Sequence, residues 1–210
     1  MLRKNKYINR RKFIFKIISI SIIIIGLLML IVKKGYKYYL QKKENDMVNE
    51  YFKFQKINVL NLKVSKSEIA SGKVSDCIYL GVLEIPKINL SRVFFRINDQ
   101  NNTASKNLEI IKESDMPDIT GGNLIIAAHS GDSSVSHFKN LHKLEKGDIA
   151  YIHYNGIKYT YQVFKKYEVI KNGTITVDRD NSKNILTLIT CDKTDKMKQI
   201  IYQLELTDKT

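Results

Sequence analysis

Residues 17–32 read IISISIIIIGLLMLIV, a run of sixteen residues without a charge. Extended back to Phe13, the apolar stretch reaches about 20 residues, enough for an α-helix to cross a hydrocarbon core of about 30 Å. Lys16 falls inside this stretch, where its long side chain can carry the ammonium group out to the interface. A buried core helix is seldom so uniformly apolar beside basic flanks. The sequence therefore predicts a transmembrane helix over residues 13–34.

The charge of the chain is concentrated at the same end. The net charge is +14, and residues 1–34 contribute +9 of it without a single acidic residue, which leaves +5 for the remainder. This distribution argues against a nucleic-acid-binding domain and favours attraction of the basic flank to anionic lipid. Positive-inside bias places the basic tail, residues 1–12, in the cytoplasm. The protein is then a single-pass membrane protein whose larger part is extracellular.

A cleaved signal peptide is the alternative interpretation of the same segment. Cleavage requires small residues in an A-x-A-like pattern after the apolar run, whereas the following residues read VKKGYKYY. The sequence therefore favours a retained anchor.

The remainder of the chain divides into a polar connection and a β-rich domain. Residues 35–77 are predicted to form a stalk, with an amphipathic helix over 36–57 and a looser linker after it. From residue 78, short runs rich in Ile, Val, Tyr and Thr alternate with turn residues, which is typical of an all-β sandwich or barrel. Asn155-Gly156 between two such runs predicts a hairpin with a type I′ turn. The predicted domain covers residues 78–210.

Two of these predicted strands end in residues with catalytic chemistry. NLIIAAHS delivers His129 at the end of one strand, and ILTLITC delivers Cys191 at the end of another. A thiol ordinarily has a pKa of about 8.5, and a neighbouring imidazole promotes its ionisation. The thiolate attacks a carbonyl while the imidazole moves protons to and from the amines. Taken singly, a cysteine after an apolar strand is more often a small buried hydrophobic residue.

The flanking residues resemble those of the sortase family. TLITC is similar to the family's TLxTC sequence around its nucleophile, and NLIIAAHS resembles its histidine strand, with Ala128 where Gly is common. The order His129 then Cys191 fits the family and differs from NlpC/P60-type peptidases, in which the cysteine comes first. The resemblance covers about residues 78–206. It implies a closed eight-stranded sortase-type β-barrel with short helices, closer to classes A and D than to B or C.

The resemblance also implies an activity and its partners. Sortases are cysteine transpeptidases that cut a C-terminal LPxTG-like sorting signal between Thr and Gly and hold the acyl fragment as a thioester. An amine of a peptidoglycan precursor or a pilin resolves the thioester, so that Gram-positive surface proteins become anchored to the cell wall or polymerised. His129 and Cys191 match the catalytic positions, Ala128 and Thr190 are predicted substrate contacts, and no cofactor is implied. The chain shows no zinc-ligand spacing, and a solvated acidic loop is favoured over a calcium site near Asp115.

One departure from the family concerns its third catalytic residue, an Arg shortly after the cysteine. The segment CDKTDKMKQIIYQLEL contains no Arg; Gln199 stands where it is expected, with Lys198 beside it. Lys196 and, from the preceding loop, Arg179 are further candidates for the missing charge. The departure motivates an alternative function, in which a catalytically weakened sortase fold serves as a membrane-tethered binding or assembly factor.

Cys77 is predicted to be incidental and Cys191 to be a free thiol, although two extracellular cysteines could equally form a disulfide. We expect mass spectrometry of the active, non-reduced protein to find Cys191 unlinked. A stable Cys77–Cys191 crosslink in active material would contradict this assignment.

Overall fold

The computed structural model describes residues 2–64, 78–173 and 175–210. Helix α1 runs Leu2–Val64, and the chain divides into one compact unit up to Lys43 and a second, Glu44–Thr210. The predicted loose linker after the helix, including Cys77, lies outside the described residues.

The first unit contains the apolar stretch predicted from the sequence. The large hydrophobic side chains of this stretch are exposed along its whole length; Phe13 at its start is 64% exposed and Val32 at its end is 69% exposed. Within the described part of the chain, one helical segment, Phe13–Lys56, is long and apolar enough to cross a membrane by its length and composition. An exposed apolar surface of this extent is unfavourable in water and is typical of membrane-interacting segments.

The second unit is built on eight strands, as the sequence predicted. They are β1 Gly81–Ile85, β2 Leu90–Phe94, β3 Glu109–Ile110, β4 Asn123–Ala127, β5 Ile149–Tyr154, β6 Ile157–Ile170, β7 Ile185–Cys191 and β8 Lys198–Lys209. Two short 3₁₀ turns, Pro86–Ile88 and Leu141–Lys143, accompany them.

The strands form one sheet in the order β2-β1-β5-β6-β8-β7-β4-β3. A bridge between Phe94 and Leu108 joins its two edges, since Phe94 ends β2 and Leu108 directly precedes β3. The sheet is therefore a nearly closed β-barrel, which removes most of the exposed edge that an open sheet would present. This confirms the predicted eight-stranded barrel.

The predicted hairpin is also present. Tyr154 pairs with Ile157 at the end of the β5–β6 ladder, and Asn155 and Gly156 between them have φ values of 51° and 78°. Positive φ at both central positions is the geometry that a type I′ turn requires.

Side chains alternate between two apolar faces of the strands that matter most below. On β4, β7 and β8 the even-numbered residues, such as Leu124, Leu188 and Tyr202, belong to the main barrel core. The odd-numbered residues Ile125, Ile189 and Ile201 form a second cluster on the other face, against which residues of β6 and of the β6–β7 connection pack. We call the second face the outer face. The β6–β7 connection has no helix among its described residues.

The end of α1 forms part of the second unit. Val48 and Tyr51, three residues apart and so on one side of the helix, are buried in a cluster with Val82 of β1 and Val93 of β2. Tyr51 is 1% exposed, and its hydroxyl donates to the backbone carbonyl of His153 at 3.1 Å. The predicted stalk, residues 35–77, therefore overlaps the compact unit from Glu44 onward.

We expect Tyr51→Ala to lower the free energy of unfolding by about 3 kcal/mol, because it leaves a cavity where an aromatic ring is buried. Tyr51→Phe keeps the ring and removes the hydroxyl, so it should cost only about 1 kcal/mol. Chemical denaturation of the full-length protein in detergent measures both. Equal, small effects would show that the helix adds little to the fold.

Candidate active site

His129 and Cys191 are brought together by the register of two parallel strands. β4 pairs with β7 so that Asn123 lies opposite Ile185 and Ala127 opposite Ile189, a constant offset of 62 residues. The backbone N–H of Ala128 continues the ladder by donating to the Ile189 carbonyl at 3.2 Å. The same offset places His129 level with Cys191.

Both side chains also belong to the same face of the sheet. Ile125 and Ala127 on β4 and Ile189 on β7 lie on the outer face, two and four residues before His129 and Cys191. Because side chains of a strand alternate with a period of two, His129 and Cys191 continue these rows. The outer-face cluster thus ends at the pair that the sequence predicts to be catalytic.

Hydrogen bonds fasten the two strand ends to each other. The Thr190 hydroxyl donates to the Ala128 carbonyl at 2.7 Å, and the Ser130 hydroxyl donates to the Cys191 carbonyl at 2.6 Å. Thr190 and Ala128 are each 5% exposed and are not among the residues that line the cleft. The Thr190 hydroxyl and the Ala128 carbonyl thus hold the strand ends together, and neither residue lines the predicted substrate site.

An open cleft of about 460 Å³ lies over this end of the sheet. His129 is exposed and Cys191 is half-buried, and both line it. The other lining residues are Ser130, Gly131, Asp132, Asp192, Lys193 and Lys196. A thiol and an imidazole at one solvent-accessible surface are the arrangement that nucleophilic catalysis requires.

Gln199 occupies the next position in the same row. In the β7–β8 ladder it lies directly opposite Cys191, and on its other side it pairs with Val169 of β6. Its side chain therefore shares the outer face with Cys191. Among the described residues, the Gln199 Oε1 has no hydrogen-bond partner although it is buried. The residue that stands where the family has its Arg thus lies opposite Cys191 in the sheet.

Lys198 directly precedes Gln199 on β8, so its side chain lies on the face opposite to the outer face. Its ammonium group donates to the Glu168 carboxylate at 2.9 Å, and both residues alternate with the outer-face positions of β8 and β6. The pairing with Glu168 raises the pKa of Lys198. Lys198 is not among the cleft-lining residues, whereas Lys193 and Lys196 are.

Arg179 is engaged elsewhere as well. It donates to the Asp115 carboxylate and to the Glu113 carbonyl at 3.1 and 2.9 Å. It is absent from the cleft lining, so its guanidinium ties the β6–β7 connection to the loop before β4.

The turn that follows Cys191 is fixed by Asp192. One carboxylate oxygen accepts from the backbone N–H and hydroxyl of Thr194 and from the N–H of Asp195. These hydrogen bonds lower the pKa of Asp192 to about 2. The carboxylate is thus ionised at neutral pH and holds the turn that carries Lys193 and Lys196.

A buried polar cluster that sequence reasoning missed lies next to the site. Arg92 of β2 pairs with Glu44 of α1 at 2.5 Å, and its Nε donates to His137 Nδ1 at 3.4 Å. His137 Nε2 lies 3.1 Å from the Lys106 carbonyl, so the neutral tautomer with hydrogen on Nε2 satisfies both contacts. Burial lowers the pKa of His137, and the Arg92 charge lowers it further, against the opposing effect of the hydrogen bond to the Lys106 carbonyl. No local pattern marks residues that are this distant in sequence.

The comparisons with known proteins agree with this geometry. A barrel that presents a thiol and an imidazole on neighbouring parallel strands has the form of a β-barrel cysteine transpeptidase. The family model for the sortase domain matches residues 83–206. The chain therefore belongs to the sortase family and is a cysteine transpeptidase.

Individual relatives give the same result. Sortase A of Bacillus anthracis is 27% identical over 187 residues, which cover 85% of this chain and 87% of that protein. The structure of sortase A from Corynebacterium diphtheriae superposes with a TM-score of 0.56 at 23% identity, over 70% of this chain and 74% of that one. Sortase C-1 of Actinomyces oris gives 0.56 at 22% identity, over 62% and 75%. Equal likeness to structures named A and C shows the common fold and leaves the class open.

His137 provides a pH-dependent test of the buried cluster. Because its folded-state pKa lies below the unfolded value of about 6.5, the folded protein binds fewer protons there. The corresponding stability is fully present above about pH 6.5 and is lost as the pH falls through this region. We expect the unfolding free energy of the wild type to fall more between pH 7.5 and pH 5 than that of His137→Gln.

Urea denaturation at several pH values measures this difference. Gln can still accept from Arg92 and donate to the Lys106 carbonyl, so the variant keeps the contacts and loses only the titration. Parallel pH profiles for the two proteins would contradict the assignment.

Proposed function

We propose that this protein is a membrane-anchored sortase that cleaves an LPxTG-like sorting signal between Thr and Gly and transfers the acyl fragment to an amine. His129 and Cys191 carry the chemistry in this proposal. The observation that supports it most directly is the 62-residue register of β4 and β7, which sets these two residues level on one face of the sheet. Family membership supplies the reaction class, and the cleft supplies the place.

The reaction proceeds in two balanced steps. The Cys191 thiolate attacks the scissile carbonyl carbon, and the tetrahedral intermediate collapses to a thioester as His129 gives a proton to the departing amine. An incoming amine then attacks the thioester carbonyl carbon and loses a proton to His129, and the C–S bond breaks, which releases the amide product and restores the Cys191 thiolate. Each transfer passes through an oxyanion, so hydrogen-bond donors or cations near the carbonyl lower both barriers.

The exposed apolar stretch of α1 supports membrane anchoring. A helix with these side chains on its surface is stabilised by lipid, and the basic residues before it favour a cytoplasmic N-terminus. The catalytic unit is then extracellular, where secreted proteins with sorting signals emerge. A cleaved signal peptide would instead release the domain from the membrane. A full-length protein in the membrane fraction would support the retained anchor, and a shortened protein outside it would support cleavage.

The acceptor is proposed to be the amine of a peptidoglycan precursor, with a pilin lysine as the alternative. The β6–β7 connection has no helix among its described residues. This makes the chain unlike the class B sortases, in agreement with its resemblance to classes A and D. The relative named sortase A over most of the chain favours a class A-like role in anchoring surface proteins.

A second candidate function follows from Gln199. Where the family has an Arg, this chain has a neutral amide opposite Cys191. Loss of a charged oxyanion contact costs about 3 kcal/mol in the transition state if nothing replaces it. The same fold would then bind sorting signals at the membrane with little turnover, as an assembly factor.

The test compares wild type, Cys191→Ala and His129→Ala, each as the full-length protein in detergent. A panel of quenched sorting peptides is supplied with an amine acceptor, and the transfer product is quantified by mass spectrometry. We expect turnover by the wild type and a loss of at least about 1,000-fold in both variants, since neither can form the activated nucleophile.

The two candidate functions predict different results. Peptide binding without cleavage by the wild type would favour the assembly factor. Cleavage that persists in Cys191→Ala would contradict the assigned nucleophile altogether.

A further inference from the structure

Charged side chains other than the two proposed catalytic residues also line the cleft. Four charged side chains line it beside His129 and Cys191: Asp132, Asp192, Lys193 and Lys196. The oxyanion of the proposed reaction needs a positive or hydrogen-bonding group, and the carboxylates oppose it. Either lysine can meet that need only if its charge is not already neutralised by a neighbouring acid.

Neither cleft lysine forms an ion pair within 4.0 Å among the described residues, and they differ only in that the Lys193 charge also acts on Asp132. Lys193 acts electrostatically on Asp132, whose pKa is lowered by a hydrogen bond with Lys139 and, less strongly, by the Lys193 charge. Lys196 forms no ion pair within 4.0 Å among the residues that the structure describes. Both Asp132 and Lys139 are exposed, so water and salt screen their pair. Both lysine charges are therefore available to a ligand, and Lys196 is the one that does not act on Asp132.

The turn gives Lys196 a fixed starting point near the thiol. Asp192 caps the turn after Cys191, the Lys198 N–H donates to the Asp195 carbonyl at 3.1 Å, and the Asp192 N–H donates to the Lys198 carbonyl at 3.0 Å. These contacts close residues 192–198 into a tight connection between β7 and β8. Lys196 projects from it three residues before Gln199, the residue opposite Cys191.

Gln199 and Lys196 have complementary properties. Gln199 lies outside the cleft lining, and its buried Oε1 lacks a hydrogen-bond partner among the described residues. A neutral amide gives direction without charge, whereas an ammonium group gives charge with little direction.

We propose that Lys196 is the cationic oxyanion contact of this enzyme, in a cleft where Gln199, opposite Cys191 but outside the cleft lining, supplies no charge. The proposal rests on the proposed transpeptidase function of the same site. In the tetrahedral intermediate the carbonyl oxygen gains negative charge as the Cys191 sulfur bonds to the carbon. The Lys196 ammonium stabilises that charge without transferring a proton, and the electron pair on the oxygen re-forms the C=O bond when the C–N bond breaks and the amine leaves with a proton from His129.

Turnover by the full-length protein in detergent provides the first test. Lys196→Gln should lower kcat by about 30-fold and change KM by less than about threefold, because the contact strengthens in the transition state. Lys196→Arg keeps the charge and should stay within about threefold of wild type. Adding Gln199→Arg to Lys196→Gln should recover about tenfold, because it puts a cation directly beside Cys191.

Matched variants guard against a general charge effect. Lys198→Gln removes a neighbouring charge that is paired with Glu168 on the other face, and Lys146→Gln removes an exposed charge outside the cleft lining. Both should keep kcat within about twofold of wild type, since neither charge faces the proposed oxyanion. Wild-type activity in Lys196→Gln, or a comparable loss in Lys198→Gln, would overturn the proposal.

A second measurement does not depend on turnover. Alkylation of Cys191 is followed by peptide mass spectrometry with anionic iodoacetate and neutral iodoacetamide. A cation beside the thiol accelerates the anionic reagent selectively, so the ratio of the two rates should fall about threefold to tenfold in Lys196→Gln and stay constant in Lys198→Gln.

The two measurements separate the failure of this proposal from that of the proposed function. An inert wild type with a Lys196-dependent alkylation ratio would contradict the transpeptidase assignment and retain the cation beside Cys191. An unchanged ratio in Lys196→Gln rules out Lys196 as that cation, whatever the turnover.

Discussion

The parallel pairing of β4 with β7 is the constraint on which the site depends. Apart from the isolated Phe94–Leu108 bridge, every other pair of neighbouring strands described is antiparallel, so only β4 and β7 are neighbouring strands that end at the same edge of the sheet. A shift of one residue would move either His129 or Cys191 to the barrel core, because side chains alternate between faces. Buried side-chain hydrogen bonds fix the register: Thr187 to Asn123 at one end and Thr190 to the Ala128 carbonyl at the other. The polar residues inside these strands thus serve alignment.

The same alternation separates the lysines that follow the thiol. Gln199 shares the face of Cys191, so Lys198 must point to the other side, where Glu168 binds it. Only residues in the turn escape the alternation, and Lys193 and Lys196 reach the cleft from there. On β8 the position beside the thiol is 199, and it holds an amide in this chain. The lysines that line the cleft therefore lie on the turn and not on the strand.

Local patterns predicted what depends on local physics. The apolar run, the alternating strands, the Asn155-Gly156 turn and the residues around His129 and Cys191 are all visible in short segments, and the eight-stranded barrel followed from their resemblance to a family. Contacts between distant segments were not visible. Glu44, Arg92 and His137 meet through three separate elements, and no spacing in the sequence relates them. The end of α1 was likewise predicted to be a stalk. Its buried side packs on β1 and β2, which are distant in sequence, so the helix sequence alone does not reveal this contact.

A cation on a turn is a different catalytic device from an Arg on a strand. Strand residues are held by the ladder on both sides, whereas a lysine on a turn has four rotatable bonds and loses their freedom when it engages the oxyanion. That entropic cost reduces the benefit of the contact unless the turn itself is rigid. Asp192 supplies this rigidity with three hydrogen bonds to one carboxylate oxygen. The ionised Asp192 next to the thiol opposes the oxyanion, yet it holds in place the turn from which the compensating charge projects. Asp192 therefore raises the barrier to oxyanion formation by repulsion and lowers it by holding the turn that carries Lys196. The distance between the Lys196 ammonium and the carbonyl oxygen decides which effect is larger.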